Sequence, residues 1–284
     1  MTRAASPTTL AAGSLFVFAG LVAALWWREQ DHRGAVLVVY VAPTSRLPMQ
    51  EIAAEYERET GRRVELRFGA SEDLLTRVRH PSPVQPADLF IPADESYIHQ
   101  ARELGLVEES IPLARIHGVL LVAKGNPRGI RNWADLLRDD VRVAVPNPGA
   151  AVGKITREHL VKTGYWTELA AHVVDTGTVT EAANATRAGD RAAVAAAIVW
   201  DVVAHSPAYE GQAVLELPEL DGIRGRVEVA VLRQSADVES ARQFARYIAA
   251  SDRGLAHFRK FKFDVVPNSE MWAEEPAQSH GASK

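Results

Sequence analysis

Small hydroxyl residues stand at two points where a predicted strand gives way to a predicted helix. Thr44 and Ser45 follow the apolar run AVLVVYVA (35–42), and a segment with the apolar spacing of a helix comes next. Ser71 follows the predicted strand RVELRF (63–68) in the same way. Serine and threonine often cap helices, so we predict that Thr44 or Ser45 caps the first helix and Ser71 the second. The first N–H groups of a helix lack partners within it and carry a partial positive charge, so an anion could bind at each junction.

A third junction of this kind lies at PNPGAAVGK (146–154), between a predicted strand and a helix predicted to begin at Ile155. It invites comparison with a phosphate-binding P-loop, which needs four residues between its glycines and a serine or threonine after the lysine. Here three residues separate Gly149 from Gly153, and Ile155 occupies the hydroxyl position. The segment therefore does not indicate a nucleotide site, but backbone N–H groups near Val152 and Gly153 could still hold an oxyanion.

Residues that would support catalysis or metal binding do not form recognisable patterns. The nine histidines include no pair at metal-ligand spacing, and the sequence has no cysteine and no GxSxG motif. His117 lies in an apolar run and is predicted to be structural. Asp88 and Asp94 flank a predicted strand, where aspartate more often caps a helix or forms a turn. The sequence therefore predicts no enzyme, no cofactor and no directly bound metal, and it favours a protein that binds a small oxyanion.

Composition and the N-terminal segment limit the function classes further. At 284 residues with a formal charge of −4, the chain can hold two lobes and lacks the basic excess typical of nucleic-acid-binding proteins. Residues 10–27 carry no charge and end in Trp26 and Trp27, as at a membrane interface. We predict a membrane anchor there, with a signal peptide cleaved near Ala24 as the alternative. Either would place the rest of the chain outside the cytoplasm.

The remaining pattern alternates strands with helices. Three βα units between residue 35 and residue 106 predict an α/β fold with a parallel sheet. Residues 268–284 are polar without periodicity and are predicted to be a disordered tail. The other predicted elements are strands within 87–94 and at 116–123, 141–145, 172–175, 192–200 and 226–232, and helices at 179–188, 236–250 and 253–261.

Four segments stand out in order along the chain: YVAPTSRLPMQEIAAEYERETG, RFGASEDLLTRV, PADLFIPADESYI and RVAVPNPGAAVGKITREHLVKTGYW. They resemble the corresponding segments of the molybdate-binding proteins of ABC transporters, and the resemblance covers residues 35–266. It implies the type II periplasmic-binding-protein fold, in which two α/β lobes close on the ligand about a hinge.

The resemblance also implies boundaries for these parts. The first lobe would comprise 35–118 together with 232–266, and the second lobe would comprise 119–231. The strands at 116–123 and 227–232 would form the hinge. Residues 1–34 would be the anchor or signal segment with its linker, and residues 267–284 would be the tail.

A set of ligand-binding residues follows from the same resemblance. Family members hold molybdate with two serine hydroxyls, backbone N–H groups and a tyrosine hydroxyl. The matching positions here are Thr44, Ser71, Val152, Val179 and Trp200. Possible additional contacts are Ser45, Gly153 and Lys154. Threonine at 44 keeps the family's hydroxyl, whereas tryptophan at 200 replaces the tyrosine and supplies only an N–H donor.

On this resemblance we expect a monomeric receptor, tethered outside the cytoplasm, that captures molybdate or tungstate for the membrane permease of an ABC importer. A related receptor for sulfate, another oxyanion or ferric iron is the first alternative. Iron receptors of similar fold use paired tyrosines, and no Tyr-Tyr pair occurs here. A membrane-anchored sensory module that has lost transport is the second alternative.

Overall fold

The computed structural model describes residues 36–187 and 194–266, so the predicted anchor (1–34) and tail (267–284) lie outside the described residues. The strands are β1 (Leu37–Val41), β2 (Val64–Phe68), β3 (Leu89–Ile91), β4 (Val107–Val122), β5 (Val143–Pro146), β6 (Val173–Thr176), β7 (Ala196–Trp200), β8 (Val214–Leu215), β9 (Arg224–Leu232) and β10 (Asp264–Val265). The helices are α1 (Arg46–Thr60), α2 (Ser71–Arg79), α3 (Ser96–Glu103), α4 (Ala151–Thr163), α5 (Trp166–Leu169), α6 (Val179–Ala185), α7 (Asp201–Ala204), α8 (Val238–Ala249) and α9 (Gly254–Lys260). No described helix is long and apolar enough to cross a membrane.

Strand β1 is buried along its whole length. It pairs in parallel with β2 on one side and with β3 on the other, as its unbroken apolar run predicts. The parallel pairing predicted for the three βα units is confirmed. Beyond β3, β9 pairs antiparallel with both β3 and β4. Strand β9 returns from much later in the chain, and the local βα pattern contains no information about its direction.

Strand β4 runs through both parts of the sheet. Its first section, Val107 to His117, pairs with β9, and its second section, Gly118 to Val122, pairs with β7. Only 116–123 were predicted as strand, because polar residues interrupt the earlier part and a proline stands where the ladder shifts register. The strand order is β2-β1-β3-β9-β4-β7-β5-β6. We call β1, β2, β3 and β9 the first half-sheet and β5, β6 and β7 the second half-sheet.

The helices that follow β1 and β2 are not capped by the predicted hydroxyls. Helix α1 begins at Arg46, but Ser45 at its N-cap position makes no side-chain capping bond. Helix α2 begins at Ser71 itself with Ala70 as its N-cap, so the prediction that Ser71 caps this helix was wrong. The Ser71 hydroxyl instead accepts a hydrogen bond from the Ala93 N–H (3.2 Å). Neither serine is therefore committed to a helix cap.

Helix α4 begins at Ala151, four residues before the predicted start at Ile155. Its early start depends on Gly153. A Cβ atom there would lie 2.1 Å from the carbonyl oxygen of Pro146 and 2.3 Å from that of Asn147. Only glycine lets the first turn of the helix approach the end of β5 so closely. In the sequence, a glycine within a run of small residues indicates a loop, so the helix was predicted to begin too late.

The two aspartates that flank β3 have structural partners. Asp88 accepts hydrogen bonds from the Val38 N–H (2.7 Å) and from the Ser235 hydroxyl (2.5 Å). Asp94 accepts one from the Ser96 N–H (3.0 Å) at the start of α3. The Asp94 contact agrees with the predicted turn. The prediction was wrong for Asp88, which forms no cap or turn but ties β1 to the segment after β9 through distant partners.

Candidate functional site

The five residues that match the family's ligand positions line one pocket. The pocket lies between the half-sheets, is narrow and is partly open to solvent. Thr44 and Ser71 follow β1 and β2, whereas Val152 and Val179 follow β5 and β6, and Trp200 ends β7. The possible additional contacts do not line this pocket; they are Ser45, Gly153 and Lys154.

The lining of the pocket is neutral. The remaining described residues that line it are Ala42, Pro43, Ala70, Ala93, Ala150, Ala151 and Thr178. Among all the described lining residues none is ionisable, and none is a tyrosine. The polar groups left to face a ligand are hydroxyls, an indole N–H and the backbone N–H groups of helix starts. Such a lining suits a ligand whose surface consists of hydrogen-bond acceptors.

Thr44 is positioned by the tight turn Pro43–Ser45 between β1 and α1. The turn is tied to the neighbouring strand, because the Ala42 N–H donates to the Ile91 carbonyl (2.8 Å). Ser45 is fully buried, and its hydroxyl has no hydrogen-bond partner within the described structure. Of the two adjacent hydroxyls, only that of Thr44 belongs to a residue that lines the pocket.

Ser71 is almost fully buried and is fixed by its contact with the loop after β3. Its oxygen accepts the hydrogen bond from the Ala93 N–H, so the orientation of the side chain is defined. A serine hydroxyl has one hydrogen to donate in addition to the lone pairs that accept. That hydrogen can therefore point to an acceptor atom in the pocket.

Apart from the indole of Trp200 and the hydroxyl of Thr178, the second half-sheet contributes backbone groups at two helix starts. Val152 is the second residue of α4, and Val179 is the first residue of α6. N–H groups at such positions have no partner inside their own helix. The start of α6 is held by Thr178, whose hydroxyl accepts a hydrogen bond from the Glu181 N–H (3.2 Å). The partial positive charge of a helix start reaches the pocket from this side as well.

Trp200 forms one wall of the pocket and is 1% exposed. A Cβ atom at Gly225 in β9 would lie 3.2 Å from the indole ring and 3.3 Å from the Ala93 carbonyl oxygen. A larger residue at 225 would therefore press against this wall of the pocket. Sequence reasoning missed Gly225, although a glycine beside a strand rich in valine is a signal of close approach.

A half-buried carboxyl lies near the wall formed by Ala93. Glu95 accepts a hydrogen bond from the Arg226 N–H of β9 (2.8 Å). Burial raises the pKa of Glu95 to about 7, and the neighbouring Asp94 carboxyl acts in the same direction. No motif in the sequence marks this group, because its environment is produced by β9.

The described residues contain no group of three or more histidine, aspartate or glutamate side chains arranged to hold a metal ion. The pocket itself combines donors from two half-sheets around a neutral cavity. This lining suits hydrogen bonds to acceptor atoms.

Residues 37–264 match the family model of the bacterial extracellular solute-binding proteins. The chain belongs to this family. Its relatives include the molybdate-binding protein ModA of Mycobacterium tuberculosis, which is 27% identical over 217 residues, or 76% of this chain and 79% of that protein. The resemblance that the sequence segments indicated is therefore confirmed.

Solved structures agree with the predicted fold. The periplasmic molybdate-binding protein of Azotobacter vinelandii matches 81% of this chain and 99% of its own, with a TM-score of 0.66 and 18% identity. The sulfate-binding protein SubI of Mycobacterium tuberculosis matches 83% of this chain and 88% of its own, with a TM-score of 0.69 and 19% identity. The prediction of an α/β fold of the type II periplasmic-binding class is confirmed for the described residues. Membership of a solute-binding family also agrees with the prediction that the chain is not an enzyme.

Proposed function

We propose that this protein captures a tetrahedral oxyanion, molybdate or tungstate, in the pocket of Thr44, Ser71, Val152, Val179 and Trp200. The observation that supports this proposal most strongly is the convergence of hydroxyls and helix starts from both half-sheets on one neutral cavity. A fully deprotonated oxyanion has only acceptor atoms, so a lining made of donors is matched to it.

The energetics of this arrangement are favourable for an anion. Burying a doubly charged ion costs several kcal/mol unless its oxygens are hydrogen-bonded. Hydrogen bonds to a charged partner contribute about 1.5–3 kcal/mol each, so a handful of donors would offset that cost. The absence of carboxylates among the described lining residues avoids a direct repulsion. Helix starts on two sides add partial positive charge without adding a side chain that needs a counter-ion.

Molybdate is favoured over sulfate by the ModA relative, which is matched over most of both chains. Sulfate is the second candidate, since SubI shares the fold and sulfate presents the same tetrahedral set of acceptors. Cavity size would distinguish the two anions, and Trp200 sets one wall of that cavity. Ferric iron is disfavoured, because it requires anionic oxygen ligands and the described lining offers none.

In the cell, the protein would act outside the cytoplasm as a monomer and deliver its ligand to the membrane permease of an ABC importer. Residues 10–27 would tether it to the membrane or direct its export. The half-sheets would close on the ligand by a hinge motion through β4 and the segment before β9, rather than through the strand at 227–232, because among the described residues β9 pairs only within the first half-sheet and with the first section of β4. Ligand would shift the population towards the closed form. No cofactor is needed for this cycle.

Isothermal titration calorimetry on the purified protein tests the proposal, with molybdate, tungstate, sulfate, phosphate and Fe(III) as separate titrants. We expect saturable binding of molybdate and tungstate at one site per chain and much weaker binding of sulfate. If sulfate bound more tightly than molybdate, the proposed ligand would change to sulfate and the proposed site would stand. Binding of none of the oxyanions would contradict the proposal and favour the sensory alternative.

A further inference from the structure

We propose that Lys154 is a positioning residue that joins the two walls of the anion pocket from outside the pocket and slows the release of the anion. The inference rests on the proposed function and adds to it a residue that governs ligand exchange. Sequence reasoning placed Lys154 among possible ligand contacts, whereas the structure gives it partners on the opposite half of the protein.

Lys154 lies in α4, in the part of the chain that follows β5. Its Nζ donates a hydrogen bond to the Ser96 hydroxyl (3.2 Å) in α3, which follows β3. The same Nζ lies 5.0 Å from the centroid of the Tyr97 ring, within cation–π distance. Tyr97 is fully buried, so its ring is a fixed platform rather than a mobile surface group. One cation thus contacts two consecutive residues across the gap between the half-sheets.

The electrostatic surroundings of this contact favour a cation. The pKa of Tyr97 is raised, chiefly by burial and further by the negative charges of Glu72, Asp94 and Glu158. These carboxylates make the junction acidic, which is unfavourable beside a bound oxyanion. Lys154 supplies positive charge at this place without lining the pocket itself.

A second contact crosses the gap close by. The Glu72 N–H in α2 donates to the Gly149 carbonyl (3.2 Å), which lies just before α4. Glu72 follows the pocket residue Ser71, and Lys154 comes two residues after Val152. The walls that carry Ser71 and Val152 therefore cannot separate without breaking both contacts. Because these contacts exist only while the walls are together, they favour the closed form and oppose release.

Stopped-flow measurement of molybdate release tests this proposal, with the fluorescence of the protein's tryptophans as the signal. We expect Lys154→Met to raise the release rate about threefold to tenfold, since it removes one charged hydrogen bond and one cation–π contact at a partly exposed place. The association rate and the melting temperature of the ligand-free protein should not change. Lys162→Met, in the exposed last turn of the same helix, is the matched control and should release molybdate at the wild-type rate.

Ser96→Ala and the double variant separate this role from direct ligand binding. Ser96→Ala should raise the release rate in the same direction, and the double variant should show less than the sum of the two effects in free energy. Lys154→Arg should restore part of the slow release. Additive effects, or a Lys154→Met release rate equal to that of wild type, would overturn the role of Lys154 and leave the proposed function standing. A wild-type protein that binds no oxyanion would overturn both.

Discussion

The two walls of the pocket present hydrogen-bond donors in different ways. The wall from the first half-sheet uses side-chain hydroxyls, those of Thr44 and Ser71. Apart from the indole of Trp200, the wall from the second half-sheet offers the backbone at Val152 and Val179, where helices begin. We call the first the hydroxyl wall and the second the backbone wall. A hydroxyl depends on the residue type at its own position, whereas a backbone N–H is present in every residue except proline.

The two walls therefore require specific residue types at different kinds of position. On the backbone wall, the valine side chains carry little of the proposed binding chemistry. The constraint falls on Gly153, which lets α4 begin beside β5, and on Thr178, which caps α6. On the hydroxyl wall, the constraint falls on the proposed binding residues themselves, Thr44 and Ser71. On the backbone wall, substitution of a supporting residue should therefore weaken binding more than substitution of a binding position. On the hydroxyl wall, substitution of a binding position should weaken it directly.

The largest expected effect is on the backbone wall, from Gly153→Ala. The added Cβ would meet the carbonyl oxygens of Pro146 and Asn147, which are backbone atoms and cannot rotate away. We expect a loss of about 3 kcal/mol or more in the free energy of unfolding, and a loss of more than about a hundredfold in oxyanion affinity as the helix start moves. Urea unfolding and calorimetry measure the two effects.

Gly69→Ala is the matched control for this substitution, because Gly69 occupies the corresponding junction before α2. A Cβ there would come 3.1 Å from the end of the flexible Leu74 side chain, which can move. We expect a loss of less than about 1 kcal/mol. Equal damage from the two glycine substitutions would contradict the distinction between the walls.

The next effect is on the hydroxyl wall, from Thr44→Val and Ser71→Ala. Each removes one donor to a charged ligand, so affinity should fall about tenfold to a hundredfold. Ser71→Ala should also lower the free energy of unfolding by about 1–3 kcal/mol, because the buried Ala93 N–H loses its acceptor. Calorimetry and chemical denaturation separate the two contributions.

Ser45→Ala is the control for both hydroxyl variants. Ser45 is as buried as its neighbour but does not line the pocket. Its removal should leave oxyanion affinity unchanged. If Ser45→Ala weakens binding more than Thr44→Val does, the assignment of Thr44 as the ligand hydroxyl is wrong.

A smaller effect is expected from Val179→Ala on the backbone wall. The N–H group remains in place, so the affinity should change by less than about threefold, while the loss of buried methyl groups lowers the free energy of unfolding by about 1–2 kcal/mol. Calorimetric titration measures the affinity, and urea unfolding of the same sample measures the free energy of unfolding. A loss of affinity as large as that of Thr44→Val would show that this wall binds through side chains.

The smallest effect concerns Glu95, which lies near the hydroxyl wall. Its pKa of about 7 is above its ordinary value, so the folded state holds the proton more tightly than the unfolded state. Stability from this group is present at pH 4.5 and decreases as the pH rises towards 7. Because the group is partly exposed, the change is on the order of 1 kcal/mol. Urea unfolding at pH 5 and pH 8 measures it.

Glu95→Gln should remove this part of the pH dependence, since an amide oxygen can still accept from the Arg226 N–H but does not titrate. Glu103→Gln, an exposed residue at the end of α3, is the control and should keep the wild-type profile. A pH profile that Glu95→Gln leaves unchanged would assign the dependence to another group.

Local sequence patterns were sufficient for the strand–helix junctions and for the segments of family resemblance. The apolar run of β1, the hydroxyls at 44 and 71 and the small-residue segment before α4 are all visible without a structure. These features arise from interactions over a few residues, which propensity and periodicity describe well. The capping of α2 and the start of α4 were misjudged, because in both cases a distant or packed neighbour overrides the local preference.

The sequence by itself determined which residues could donate to an anion, and only the tertiary structure decided which of them meet. The hydroxyl of Ser71 is oriented by a residue 22 positions away, and the amino group of Lys154 is held by one 58 positions away. The first contact depends on the pairing of β2 and β3 with β1. The second depends on the long strand β4, which joins the two half-sheets. Contacts at such separations follow from sheet pairing and packing, and no local pattern encodes them.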